Sequence, residues 1–351
     1  MKSYNHLWEQ FISEENIKLA IRNSSRGKRN RREIKAYLSE SDNIIARVRN
    51  YAENFHNKPH QPKIIYDGIE RKKRTIIVPS YEEQIIHHMV VNVLKPIFMK
   101  GMYEHTYASI PNRGVHKGKK AIQKWIKHDG KKCRYCLKMD VRKYFDNISH
   151  DVLKEKLRKK IHDERFLSVL NTIIDVTDSG LPLGFYTSQW LANWYLQGFD
   201  HYVKEQLAVP HYVRYMDDMV LFSSNKRFLH RAKDAISQYL ATIGLEIKEN
   251  WQIFRFSYKR GEQDDGRFLD FMGFRFYRTR ITMRRSILKK ALRKARRIKQ
   301  RGLTTHSARQ MLSYIGWFNA TDTYGIFERQ IKPNVSIRKL RRKVSMCDTQ
   351  M

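Results

Sequence analysis

Cysteine is nearly missing from this chain, with three residues among 351. Three thiols cannot staple a fold of this size, so a hydrophobic core must hold it, and a reducing compartment is expected. Long apolar runs are missing as well; none approaches the roughly 18 residues that span a bilayer. The N-terminus, Met1-Lys2-Ser3-Tyr4-Asn5-His6, has no signal-peptide shape, and a cytoplasmic location is expected. No internal repeat, low-complexity segment or Gly/Ser linker interrupts the chain, and the glycines stand singly at expected turns. Acid is scarce: 35 Asp plus Glu face 69 Lys plus Arg, a formal net charge of +34.

Hydrophobic residues make up 41% and aromatics 12% of the chain, which excludes a disordered basic tail. The length suits about two domains. A large cationic surface on a folded protein most often meets nucleic acid. A membrane-surface role is the weaker reading, because the charge is spread along the chain rather than confined to one amphipathic helix. Three basic clusters stand out: Arg22 to Arg32, Lys289 to Arg301, and Arg338 to Lys343. One such run is usually a solvated face; three on so basic a chain are better used against a phosphate backbone.

The apolar spacing of Phe11, Ile12, Ile17, Leu19 and Ile21, then Ile34, Leu38, Ile44, Ile45 and Val48, predicts helices between Leu7 and Asn54. Residues Ile64 to Pro79 predict a β-hairpin around Asp67-Gly68, returning through Ile76-Ile77-Val78. Glu82 to Lys95 predicts a helix stopped by Pro96. The middle alternates short strands and helices, and from Met283 the chain turns basic and helical on a stripe of Leu288, Leu292 and Ile298. The fold class expected is α+β.

Arg134 to Val141 alternates, with Tyr135, Leu137, Met139 and Val141 on one face and Cys136, Lys138 and Asp140 on the other. Asp140 thus stands on an open face, and Ser149 is placed to cap a helix from His150 to Lys160. Farther on, two β-rich runs, His211–Tyr215 and Met219–Phe222, are joined through Met216-Asp217-Asp218, a tight-hairpin composition. An Asp-Asp turn alone is ordinarily a solvated turn. Three acids converging within a basic protein are anomalous unless cations sit among them. Hard oxygen ligands in an open site suit two Mg²⁺ ions, with Mn²⁺ as a possible substitute, the arrangement for in-line phosphoryl transfer by a nucleotide polymerase.

Tyr215-Met216-Asp217-Asp218 closely resembles the catalytic hairpin of reverse transcriptases, and Asp140 with Phe145-Asp146-Asn147-Ile148 resembles that family's first catalytic motif. Arg71–Ser80 with Glu82-Glu83-Gln84, and Tyr107–Lys119, resemble its finger motifs; Leu269–Arg278 resembles its primer-grip hairpin. The ordered set is specific where a single match would be weak. The resemblance implies a right-hand polymerase: a basic helical N-terminal extension at 1–60, fingers and palm at 61–278, and a basic helical thumb at 279–351. It implies Asp140, Asp217 and Asp218 as catalytic metal ligands with the Val141 carbonyl. It also implies a nucleotide pocket of Arg74, Arg113, Phe145, Leu183, Gly184, Gln189 and Lys248, and primer-template contacts from Tyr215, Met216, Met272 and Gly273. Phe145 would exclude a 2′-hydroxyl, Arg74 and Arg113 would take the triphosphate, and Lys248 would protonate the departing pyrophosphate.

Gly180-Leu181-Pro182-Leu183-Gly184-Phe185-Tyr186-Thr187-Ser188-Gln189 resembles the family's nucleotide-pocket motif with two departures. Many relatives carry Gln where Leu183 stands and Pro where Gln189 stands. This form, with Lys248-Glu249-Asn250-Trp251, resembles the enzymes of diversity-generating retroelements, which copy RNA with errors at adenines. Leu183 as core packing in a faithful enzyme is the plainer alternative. The resemblance implies template RNA, cDNA or primer and dNTPs as partners, with a small basic accessory protein or a structured noncoding RNA, and no membrane. With Met351 soon after the thumb-like region, no appended RNase H, endonuclease or integrase domain is expected. The alternatives are a bacterial antiviral-defence enzyme using its own noncoding RNA, and an inactive RNA-binding scaffold. Cys133 and Cys136 have half a zinc spacing without further ligands, so no zinc is expected. Of His87-His88, one is expected to face solvent, and Trp190, Trp194 and Tyr195 are expected in the core.

Overall fold

Helices α1 (Leu7–Phe11), α2 (Glu14–Ser25), α3 (Arg32–Ser39) and α4 (Ile44–Glu53) open the computed structural model, which describes residues 3–39, 43–67 and 72–349. Strands β1 (Lys63–Asp67) and β2 (Lys72–Ile76) form an antiparallel pair, followed by α5 (Tyr81–Met99) and α6 (Val115–His128). Next come β3 (Tyr135–Asp140), α7 (His150–Arg158), α8 (Glu164–Ile174), α9 (Tyr186–Tyr195) and α10 (Gln197–His201). Strands β4 (His211–Tyr215) and β5 (Asp218–Ser223) precede α11 (Lys226–Thr242), β6 (Gln252–Arg255), β7 (Tyr258–Arg260) and β8 (Gln263–Asp265). Strands β9 (Leu269–Phe271), β10 (Phe274–Phe276) and β11 (Ile281–Met283) lead to α12 (Arg285–Arg301), α13 (Thr305–Asn319), α14 (Tyr324–Ile326) and α15 (Ile337–Thr349). The largest sheet has the order β4-β5-β3-β6. The class is mixed helix and sheet.

Two compact units divide the chain: Met1–Pro111 with Lys138–Met219 and His230–Trp251, and Asn112–Leu137 with Val220–Leu229 and Gln252–Met351. The first is organised on α5, which packs against α1, α2, α4 and α9. Its start is set by a capping box, Ser80 with Glu83. Its apolar residues lie all around the axis, from Ile85 and Ile86 to Ile97 and Phe98, as a helix enclosed by others requires. Trp190, Trp194 and Tyr195 on α9 are buried core residues.

Three details depart from the pattern expected. Pro96 does not stop α5, which continues to Met99. The backbone bond missing at the proline is offset by packing beyond it: Phe98 is fully buried and stacks on Trp194 at 4.7 Å, and Gln197 Nε2 donates to its carbonyl at 2.9 Å. The return strand of the first hairpin is β2, ending at Ile76, because the Ile77 N–H leaves the ladder to donate to Leu183 O at 2.8 Å. The Gly68 of the expected turn, and Arg71, lie outside the described residues. On α2, Leu19 is exposed, while Asn16 is buried with its amide donating to Phe11 O at 2.9 Å and Met89 O at 3.2 Å.

In the second unit β9, β10 and β11 form an antiparallel sheet, and α12, α13 and α15 share a core. Leu288 and Leu292 only flank it; the buried line of α12 is Ala291, Ala295 and Ile298. Small side chains let α13 approach closely, while most lysines and arginines of α12 and α15 stay in solvent. Gly273, at φ 84° in the β9–β10 turn, lies where a Cβ would meet the Trp317 ring at 2.6 Å.

Phe98→Ala removes the ring that carries α5 past its proline. It should destabilise the protein by about 3–5 kcal/mol, read from denaturant midpoints, and an effect below about 1 kcal/mol would show that the last turn of α5 is dispensable.

Candidate active site

The turn Met216-Asp217 joins β4 to β5, and β5 neighbours β3 in the sheet. Asp218 therefore begins one strand while Asp140 ends the next. Backbone bonds tie the segments: Val141 N–H donates to Asp217 O at 3.3 Å, and Lys248 N–H donates to Asp140 O at 2.8 Å. Burial, and then the Asp140 carboxylate beside it, push the Asp217 carboxyl up to about 7. Asp140 Oδ1 is buried with no N–H or hydroxyl donor among the described residues. The other Asp140 oxygen pairs with Lys248 Nζ, and Lys138 Nζ lies 4.0 Å from Asp218 Oδ1.

This donor set fits a divalent cation. A carboxylate whose ionisation is opposed by burial and by a second carboxylate is relieved by a cation placed between the two. The fit rests on that pair, since among the described residues no group of three or more His, Cys, Asp or Glu side chains is gathered around one metal position.

The turn is anchored from below by a buried ion pair. Arg214, fully buried on β4, donates Nε to Asp200 Oδ1 at 2.8 Å and Nη2 to Asp200 Oδ2 at 2.6 Å. Its other donors reach Asn193 Oδ1 at 3.3 Å, Asn193 O at 3.2 Å and Met216 O at 2.9 Å. All five guanidinium N–H groups are thereby used. Met216 has a left-handed φ of 59°, costly for a methionine, and Arg214 grips its carbonyl.

A second feature is the loop before α9. Leu181 N–H donates to Phe145 O at 2.7 Å, and a Cβ on Gly180 would lie 2.4 Å from that same oxygen. At Gly184 a Cβ would lie 2.1 Å from Ile77 O. Glycine at both positions lets the loop lie directly on two other backbones. Leu183 is half-buried and Gln189 exposed. His87 is buried with Nδ1 3.0 Å from Thr187 Oγ1, and His88 is half-buried with its ring stacked 4.2 Å from Tyr186. Neither histidine simply faces solvent, because α9 covers that side of α5.

The first unit thus holds Asp140, Val141, Asp217, Asp218 and Lys248 together, with Phe145, Leu183 and Gly184 joined through the loop. Arg74 is half-buried on β2, opposite Ile65, and Tyr215 is half-buried at the end of β4. Arg113, Met272 and Gly273 belong to the second unit, the last two forming the β9–β10 turn. Cys133 and Cys136 are buried, and burial pushes the Cys133 thiol up to about 12. Sequence reasoning passed over Lys138 and the Arg214–Asp200 pair. Lys138 was signalled by sharing Asp140's face two residues earlier. Arg214 was signalled only as a lone charge in a β-rich run.

One acid, Asp140, thus ends β3 beside the turn that carries Asp217 and opens β5 at Asp218. Residues 58–273 match the family model described as reverse transcriptase (RNA-dependent DNA polymerase), more than half of the chain, and the chain belongs to that family. Its general activity is RNA-directed DNA polymerisation. It is 26% identical over 230 residues to the retron Ec73 reverse transcriptase of Escherichia coli, covering 61% of this chain and 70% of that protein. It is 24% identical over 215 residues to the group II intron-encoded protein LtrA of Lactococcus lactis subsp. cremoris, covering 56% of this chain but only 34% of that protein. Among solved structures, apo telomerase from Candida tropicalis aligns with a TM-score of 0.50 at 14% identity, over 79% of this chain and 59% of that one. That likeness shows the fold, the right-hand polymerase. Among the described residues no helix is long and apolar enough to cross a membrane.

Arg214→Met should destabilise the protein by about 3–5 kcal/mol by leaving Asp200 buried without its cation, and Arg214→Met with Asp200→Leu should recover part of that loss. Chemical melts of both variants check this; a double variant no more stable than the single one contradicts it.

Proposed function

We propose that this chain copies an RNA template into DNA with Asp140, Asp217 and Asp218 as its catalytic carboxylates. The observation that carries this reading is the half-buried Asp140–Asp217 pair, in which burial and the neighbouring Asp140 carboxylate push the Asp217 carboxyl up, on a turn whose Met216 is left-handed. Asp140 and Asp217, with Asp218 and the Val141 carbonyl, would hold two Mg²⁺ ions, or Mn²⁺ in their place. When bound, such ions stabilise the attacking and leaving oxygens of phosphoryl transfer.

The chain's own groups supply the rest. Phe145, its backbone fixed by Leu181, sets the floor under the sugar and excludes a 2′-hydroxyl. Arg74 and Arg113 receive triphosphate oxygens, for which the guanidinium fork is suited. Lys248 stands against Asp140 and is placed to give a proton to the departing pyrophosphate. Leu183, Gly184 and Gln189 shape the base-pair pocket; Tyr215, Met216, Met272 and Gly273 bear on primer and template. In this reading residues 1–60 are the basic extension, 61–278 fingers and palm, and 279–351 the thumb. The exposed cations of α12 and α15 track the RNA backbone.

The finer reading is an error-prone enzyme of a diversity-generating retroelement, with a small basic accessory protein or structured RNA as partner. It is supported by Leu183, whose half-buried apolar side chain stands where many relatives carry an amide. The retron relative favours a second reading, a bacterial antiviral-defence enzyme using its own noncoding RNA. A template repeat beside a variable protein gene would decide for the first. An inactive scaffold is disfavoured, because clustered half-buried acids are costly to keep without a function.

Asp217→Asn or Asp140→Asn should reduce synthesis by about three orders of magnitude or more, roughly 4 kcal/mol in activation energy, with RNA affinity little changed. Primer extension near the wild-type rate by either variant would sink the assignment. Leu183→Gln should lower misincorporation opposite template adenine about ten-fold, since one amide hydrogen bond supplies about 1.4 kcal/mol of discrimination. Sequencing cDNA made by both enzymes on one defined RNA checks this; equal error spectra would remove the retroelement reading.

A further inference from the structure

In the second unit arginines and aromatic rings interleave at high density. Between Phe254 and Arg280 five guanidiniums lie over rings: Arg267 over Phe254 at 4.9 Å, Arg278 over Phe256 at 5.6 Å, Arg255 over Tyr258 at 4.3 Å, Arg275 over Phe268 at 4.7 Å and Arg280 over Tyr277 at 4.6 Å. Such pairs ordinarily occur about once in 70–80 residues, so this run is enriched many-fold. Arg134 adds a sixth, over Tyr135 at 5.6 Å.

Four cations of this unit, Lys131, Arg134, Arg255 and Arg278, line one open cavity of about 440 Å³ together with Phe256 and Tyr258. No carboxylate lines it. Elsewhere in the unit arginine and lysine are neutralised where acid is at hand: Asp270 takes Arg284 at 2.6 Å and Arg275 at 3.4 Å, and Asp129 takes Lys132 at 3.3 Å. Asp265 accepts from the Tyr258 hydroxyl at 2.6 Å, so the tyrosine's polar end is fixed. Arg278 is likewise fixed, with Nη1 donating to Gly130 O at 3.1 Å and its backbone N–H to Ser257 Oγ at 3.3 Å. Among the described residues none of the four cavity cations makes an ion pair.

We propose that this cavity binds a segment of single-stranded RNA, in addition to the template contacts of the carboxylate site. Its cations match phosphate oxygens, which the guanidinium fork takes two at a time. Its guanidinium planes and the half-buried Tyr258 ring match unpaired bases, which stack on such surfaces, whereas a duplex hides its base faces; Phe256 is buried beneath Arg278 and backs the cavity. An acidic peptide would satisfy the charges but leave the rings unused. The choice of RNA rests on the polymerase reading; the cavity's chemistry does not.

The test uses the full chain and the variant Arg134→Ala with Arg255→Ala, two exposed side chains outside the polymerisation machinery. Anisotropy of a short unstructured labelled RNA is followed against salt. The variant should bind more weakly, with a log–log salt slope reduced by about 0.7 for each phosphate no longer neutralised, or about 1.4 for two. Primer extension on a short pre-annealed hybrid should keep its wild-type rate. Equal slopes would overturn the proposal, and so would loss of single-stranded DNA binding with RNA binding intact. Photocrosslinking of thiouridine-containing RNA to the wild-type chain should label the peptide bearing Tyr258; labels confined to other peptides overturn the proposal even if the double variant fails to fold. A slope difference between wild type and variant, with no primer extension by the wild-type chain, would defeat the polymerase reading and leave this site standing.

Discussion

The buried ion pair between Arg214 and Asp200 is the interaction on which the rest of the site depends. A guanidinium at zero exposure is tolerable only when every N–H has an acceptor, and here the acceptors are Asp200, Asn193 and the Met216 carbonyl. These partners come from α9, α10 and the turn itself, so the turn's geometry is tied to the helices beneath the sheet. Tyr212 and Thr106 complete the arrangement by donating to the Asp200 oxygens at 2.8 and 3.4 Å. A network so fully satisfied is rigid, and rigidity is what a strained methionine at φ 59° needs in order to persist.

Above that foundation, the acids are kept in tension with a strongly basic chain. Asp140 and Asp217 are close enough that one of them is pushed toward holding a proton, while Lys248 and Lys138 approach Asp140 and Asp218. Such a balance of charge responds to any cation that arrives, whether metal or the ammonium of a side chain. Backbone contact does comparable work at the loop before α9. Gly180 and Gly184 let that loop rest on Phe145 and Ile77 with no side chain between, which couples the aromatic after Asp140 to the end of β2.

The two units divide charge differently. In the first, Arg214 and Lys248 are bound to acids and serve internal geometry. In the second, most cations of α12 and α15 project into solvent and the three arginines around the 440 Å³ cavity lie over aromatic rings. The net charge of +34 is therefore a sum of unlike contributions.

By itself the sequence determined the α+β class, the alternation that sets Asp140 at a strand end, the Met216-Asp217 turn, the Ser149 cap and the order of motifs that places the chain among reverse transcriptases. These are local or ordered signals, and periodicity and turn composition carry them directly. It misjudged Pro96, Leu19 and the end of the first hairpin, because each was decided by a partner far along the chain: Trp194 and Gln197 for the last turn of α5, the inward amide of Asn16 for α2, the Leu183 carbonyl for Ile77. It held no account of Arg214, since a lone charge in a strand reads as an exposed residue until a buried acid is found beside it. Only the tertiary structure decided that Asp200, fourteen residues away, meets that arginine, and that burial and the Asp140 carboxylate together push the Asp217 carboxyl up. Desolvation and charge proximity depend on which segments pack together, and no single stretch of sequence contains them.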